Sequence, residues 1–178
     1  METPLSFHYG YQLSRAVAKF GITAIVLPLV PVFLLGLSLP STLILMTSTF
    51  ILEYGAAPVG VGLGLNPFFV LFVLLCIAAS VNSLLFDIFT IIGTHSVRVA
   101  EFLRKNGERA RRSKVVDRYG IYGLIPLVWT LGIFACPPVS WVLGWDRTRS
   151  FVAIMAGFSF AAVVTTLASV GILKIFFP

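Results

Sequence analysis

From Phe20 to Val97 the chain carries no lysine or arginine, and its acidic residues there are Glu53 and Asp87. A soluble domain needs polar side chains over much of its exterior, so an uncharged stretch of this length has few places to go except a bilayer. The whole chain agrees: 58% of its 178 residues are hydrophobic and 11% are charged.

The basic residues crowd into one place. Arg98, Arg104, Lys105, Arg109, Arg111, Arg112, Lys114 and Arg118 are opposed only by Glu101, Glu108 and Asp117. A dense basic loop between membrane-length apolar runs is a cytoplasmic topology signal in a multi-pass protein. The net charge of +6 could suggest nucleic acid, but no aromatic stacking platform accompanies the basic run, and no nucleic-acid partner is expected. In the loop 95–118 the apolar residues Val97, Val99, Phe102 and Leu103 predict a short amphipathic helix lying on the membrane until Asn106-Gly107 interrupts it, with anionic lipids the expected partner at residues 98–118.

A bilayer core of about 30 Å takes about 20 helical residues to cross. Residues 20–38, 67–92 and 149–177 meet that length as full spans, with Pro28 and Pro31 expected to bend the first. The first is too long for the apolar core of a signal peptide. Two further apolar stretches, 40–65 and 119–145, are interrupted. One carries Pro58, Gly60, Gly62 and Gly64; the other carries Pro126, Gly132, the Pro137-Pro138 pair and Gly144. Paired prolines are expected to end a helix, and freed backbone at membrane depth is tolerated only inside protein or beside water.

Charge decides between a kinked crossing and a turn-back. If 119–145 crossed, Arg147 and Arg149 would face away from the basic loop; if it dips and returns, all basic clusters share one face. The expected fold class is therefore an all-α integral membrane protein with three full spans plus two re-entrant helical hairpins forming an inverted repeat. It is one transmembrane domain: an N-terminal span (1–38), a hairpin plus span (39–92), a basic cytoplasmic loop (93–118), and a second hairpin plus span (119–178). The N-terminus, with Arg15 and Lys19, is placed in the cytoplasm. The repeat leaves a trace in the sequence. Pro58–Leu65 aligns with Pro138–Trp145 and Asn66 with Asp146, after which Phe69-Val70 matches Phe151-Val152 across a small insertion. Inverted repeats with broken helices build midplane transport sites.

Glu53 is the foremost candidate residue. A carboxylate at mid-membrane is costly and functional by default, suited to taking and releasing a proton; the competing role is to cap free backbone N–H groups of the hairpin. Asp87 could join it in a relay or simply reach the headgroups. Arg147 and Arg149, beside Trp145, either anchor the interface or grip a lipid phosphate. Pro58, Asn66 and Pro138, at the interruptions, complete the set expected for substrate or proton binding. Asn82, Ser83, Thr130, Ser140, Thr165 and Thr166 could line a polar path or only bond helices together. Cys76 and Cys136 sit in apolar text away from histidine, so no metal set and no cofactor is expected.

Glu53-Tyr54-Gly55-Ala56-Ala57-Pro58, followed by Gly64-Leu65-Asn66-Pro67, resembles the opening of the small multidrug export family. So does Val116-Asp117-Arg118-Tyr119-Gly120-Ile121-Tyr122-Gly123-Leu124 after a basic helix, then Trp141-Val142-Leu143-Gly144. The resemblance covers about residues 40–175 and extends distantly to the DedA superfamily of lipid flippases and scramblases. It implies re-entrant hairpins. Tyr54 stands where the family often has arginine, and the second hairpin lacks the usual threonine-glycine motif and the arginines that DedA proteins tend to carry there.

The expected function is a DedA-like membrane transporter: a proton- or cation-coupled carrier of a small cationic or lipid cargo, or a lipid flippase, with its site at the hairpin tips. The alternative is a passive scramblase or membrane scaffold. An embedded enzyme is the weakest reading, because no HExxH, nucleophile elbow or triad spacing occurs. Membrane lipids are the expected partners, and a homodimer would bury the polar hairpins.

Overall fold

The computed structural model describes residues 5–95 and 120–176, with side chains placed for 10–91 and 120–171. The basic loop 98–118, with the amphipathic helix expected before Asn106-Gly107, lies outside the described residues. Among those described, the fold is helical without strands. In chain order the helices are α1 (Leu5–Gly21), α2 (Leu27–Leu35), α3 (Leu39–Leu52), α4 (Ala57–Gly62), α5 (Pro67–His95), α6 (Leu124–Leu131), α7 (Cys136–Val142) and α8 (Arg147–Phe176). Four helical stretches are long and apolar enough to cross a membrane: Gly10–Leu35, Leu39–Gly62, Pro67–Ile91 and Arg147–Gly171. The chain is a multi-pass membrane protein. Its outward faces are apolar, with Phe33, Leu34, Ile51, Phe68 and Leu167 all well exposed, as lipid contact requires.

The first stretch starts earlier than the charge pattern suggests, because α1 runs through Arg15 and Lys19 and continues into α2 by a π turn, Ile22–Val26. Pro28 has no N–H and crowds the carbonyl four residues back, and the wider turn just before it accommodates that crowding without breaking the helix. Gly36, at φ 62, ends α2. α1 packs along the C-terminal half of α5, where Arg15, Lys19 and Asp87 line one groove.

The prolines of the interrupted stretches do the opposite of what their sequence suggests. Pro137 and Pro138 open α7 instead of ending a helix, and Pro58 opens α4. At a first turn the missing N–H costs nothing. The breaks fall on other residues: Gly132 (φ 77, ψ 175) closes α6, and Glu53 (φ 53, ψ −126) closes α3.

In each broken segment, residues far apart in sequence lie close together. A Cβ built on Gly60 would lie 3.0 Å from Leu45 Cδ1, fifteen residues earlier, which is about 22 Å along a straight helix. In the second segment, Gly120 and Tyr122 at its start line the same cavity as Trp145 and Arg149 beyond its end.

The two elbows leading out of these segments are hydrogen-bonded alike. Leu63, Gly64 and Leu65 donate to Val59, Val61 and Gly60; Leu143, Gly144 and Trp145 donate to Val139, Trp141 and Ser140. Gly64 (φ 77) and Gly144 (φ 66) turn the chain, and then Asn66 and Asp146 accept from the Phe68 and Arg149 amides to cap α5 and α8. The backbone bonds keep an offset of 80 residues, since Val70 donates to the Asn66 carbonyl and Ser150 to that of Asp146, while the side-chain caps differ by one residue, Asn66 reaching two residues ahead and Asp146 three. The small insertion expected after Asn66 has no counterpart in the backbone.

α5 and α8 form the centre. Asp87, near the C-terminal end of α5, meets Arg147 at the start of α8, so the two long helices run antiparallel.

Candidate functional site

Glu53 ends α3 in a conformation that side chains rarely adopt, the one positive φ outside glycine among the described residues. Such strain persists where surrounding contacts hold it. Here the carboxylate crosses to the other broken segment, and Oε2 accepts from the Ile133 amide at 2.9 Å. The carboxylate lies over Gly132, where a Cβ would come within 2.7 Å of Oε2. Gly132 is therefore required twice, for its φ and for its missing side chain. Ile133 stands 80 residues after Glu53, so the two tips touch at equivalent positions of the two segments.

The residues around Glu53 hold the tips to the long helices. Tyr54 donates its hydroxyl to the Trp129 carbonyl at 3.0 Å, and its own carbonyl accepts from Thr165 on α8 at 3.1 Å. Trp129 donates from Nε1 to the Gly157 carbonyl and stacks on Phe160, with ring centroids 5.6 Å apart. Gly157 carries no side chain because the Ile125 carbonyl sits 2.6 Å from where its Cβ would be, which lets α6 lie against the α8 backbone. The tips sit level with Ile77, Ala78 and Val81 of α5 and with Phe158 of α8, near the middle of both helices.

The midplane cavity expected between the tips is nearly closed. A cleft of about 10 Å³ remains beside Glu53, no more than one water needs.

The other expected residues divide. Asp87 does not join Glu53. It is bound by Arg147, whose Nη2 donates to Oδ1 at 2.6 Å and whose guanidinium lies 5.8 Å over the Phe86 ring. Asp87 is about 9 Å along α5 from Val81, the last residue of that helix beside the Glu53 cleft. Asn66 is exposed and serves as the cap of α5, while Pro58 is exposed and Pro138 half-buried, each at a helix start.

Arg149 is exposed and lines a different, larger cavity of about 710 Å³. Trp145, Tyr122 and Thr148 line it too, with Ile125, Val152 and Ala156 supplying apolar wall. Among the described residues, no three His, Cys, Asp or Glu side chains gather as metal ligands would.

Sequence reasoning missed the backbone half of the site: Gly132, Ile133 and the Tyr54–Trp129 tether. The repeat offset could have found Ile133, since counting 80 residues from Glu53 lands on it.

The arrangement at the tips coincides with a family signature. A family model described as "Putative small multi-drug export protein" matches residues 53–164, more than half of the chain, starting at Glu53 itself. The chain belongs to this family. It is a transporter-type, non-enzymatic family, and its matched region spans both elbows, both tips, α5 and α8 as far as residue 164. The first helical stretch, Gly10–Leu35, lies outside the match. No curated protein and no solved structure matches the chain.

Proposed function

We propose that this protein is an export-type membrane carrier whose site is the contact between two re-entrant tips, with Glu53 as the group that binds a proton or a cationic cargo. In this reading α3–α4 dips from one face and α6–α7 from the other, forming an inverted repeat about the α5–α8 pair. The N-terminus and the basic loop face the cytoplasm. Support comes from the bends at Glu53 and Gly132, the matching elbows, and the antiparallel α5 and α8. Arg15, Lys19 and Arg147 also gather at the Asp87 end, as a positive cytoplasmic face would require.

The observation that carries the proposal is the Glu53 carboxylate bridging to the Ile133 amide at mid-helix depth. An acid that holds two moving parts together can release them when its charge changes or a cation replaces the amide as its partner. Alternating access then amounts to opening one tip contact while packing elsewhere stays intact. The small cleft fits the closed state of such a cycle.

A lipid cargo has its own support. The cavity at Arg149 has that basic residue, two aromatic residues at interface depth and an apolar wall, the chemistry of a phospholipid with its phosphate outward. The distant likeness to DedA-type flippases points the same way. A passive scramblase or scaffold is the alternative, and it makes no use of Glu53.

Reconstitution separates them. Proteoliposomes assayed for movement of fluorescent phospholipids and of monovalent organic cations are expected to show flux that Glu53→Gln abolishes. Flux equal in Glu53→Gln and the parent protein would reject the coupled carrier in favour of passive scrambling.

A further inference from the structure

Asn82 is fully buried on α5, and neither its amide nitrogen nor its carbonyl oxygen has a hydrogen-bond partner. Ser140 on α7 and Ser150 on α8 are also fully buried, with unpartnered hydroxyls. No other described residue has a buried side-chain polar atom in this condition. The three belong to helices that pack on one another. Asn82 lies one turn from Ala78, which lines the Glu53 cleft, and about 7.5 Å along α5 from Asp87. Ser150 lies one turn inside Arg147. Asn82 and Ser150 therefore occupy the layer between the Glu53–Ile133 contact and the Asp87–Arg147 pair, and Ser140 is on α7, which packs on both of their helices.

The repeat supplies its own control. At the 80-residue offset, Asn82 corresponds to Ala162, Ser140 to Gly60 and Ser150 to Val70, all buried and none with a polar side chain. That set is sealed: a Cβ on Gly60 would sit 2.7 Å from Val70 and 3.0 Å from Leu45. One set of positions, Gly60, Val70 and Ala162, is thus apolar and close-packed, and its counterpart, Ser140, Ser150 and Asn82, carries hydrogen-bonding groups. A membrane-embedded core gains nothing from polar groups that no protein atom satisfies, so such groups mark contact with something polar.

We propose that Asn82, Ser140 and Ser150 line an aqueous access path, which opens from the Asp87–Arg147 end to Glu53 when α7 swings aside. Its ligand is water, with a hydrated proton as the charge it carries; uncharged amide and hydroxyl groups suit that species. α7 is the element built to move. It has seven residues, and it hangs between Gly132 and Gly144, both in left-handed conformations. The path deepens the carrier reading above and rests on it for what the path serves. Its existence rests on packing alone.

The test is cysteine accessibility in the reconstituted full chain, with Cys76→Ala and Cys136→Ala as background and a small cationic methanethiosulfonate as probe. Ser140→Cys and Ser150→Cys, both near-isosteric, are expected to react about tenfold faster than Val70→Cys and Ala162→Cys, the ratio given by about 1.4 kcal/mol of easier opening. Equal rates at the two sets of positions, or no reaction at any position, would overturn the path. Hydrogen exchange on the unmutated protein gives a second readout. Amides of 139–143 are expected to exchange faster than those of 59–63, and equal exchange counts against the proposal. If labelling is asymmetric but flux ignores Glu53, the carrier reading fails and the path stands. If flux needs Glu53 but labelling is symmetric, the path fails and the carrier reading stands.

Discussion

The two broken segments share one backbone plan and differ in what fills it. Both turn out through a left-handed glycine, both end on an Asx-capped long helix, and both open their short return helix with proline. The first is closed by contact: Gly60 seats against Val70 and Leu45, and the buried positions around it are apolar. The second keeps Ser140 and Ser150 at the same places and contributes a glycine and a backbone amide, where the first contributes a carboxylate. Two segments with matching elbows thus differ at a few side chains, close-packed around Gly60 and polar at Ser140 and Ser150.

This contrast can be broken at several points. The largest effect is expected at Gly132→Ala, which collides with the Glu53 carboxylate and strains a φ of 77. A loss of roughly 3 kcal/mol or more follows from overpacking and backbone strain together. Thermal unfolding in detergent should show it, whereas Leu52→Ala, the exposed equivalent in the first half, should shift little. Next is the exchange of Gly60 and Ser140. Gly60→Ser is expected to cost roughly 1–3 kcal/mol as an overpacked core site. Ser140→Gly removes a buried hydroxyl without a partner and should change stability by less, in either direction; equal losses would show that the halves are packed alike.

A smaller effect is expected at Tyr54→Phe, which removes the bond to the Trp129 carbonyl and should cost about 1 kcal/mol. The smallest is Arg147→Gln. Its pair with Asp87 is partly exposed, with 47% and 17% side-chain accessibility, and such pairs contribute about 0–1 kcal/mol. A loss well above that would mean that this ion pair, and not the tip contact, holds the second half in place.

Much of the architecture was legible because the bilayer leaves few options. Charge-free stretches located the long helices, and the density of Pro and Gly located both interruptions. Which residue makes each break was not legible. Pro137 and Pro138 look like helix terminators, but a proline is harmless where the first-turn N–H has no partner, so they begin α7 and Gly132 ends α6. Glu53 stood out because a lone acid in apolar text has a high cost. Its partner did not, because Ile133 acts through a backbone amide that every residue type shares. Asp87 appeared suited to a relay with Glu53, yet it pairs with Arg147, sixty residues away in sequence, a contact set by the antiparallel packing of α5 and α8.

The central claim is that each broken segment enters and leaves by one face, the two from opposite faces, so that their tips meet at Glu53. An impermeant thiol reagent applied to sealed vesicles tests this directly, with Ser38→Cys and Asn66→Cys flanking the first segment and Tyr122→Cys and Arg149→Cys flanking the second. The account predicts that the first two label together from one side and the last two together from the other. Labelling of Tyr122→Cys and Arg149→Cys from opposite sides would contradict it.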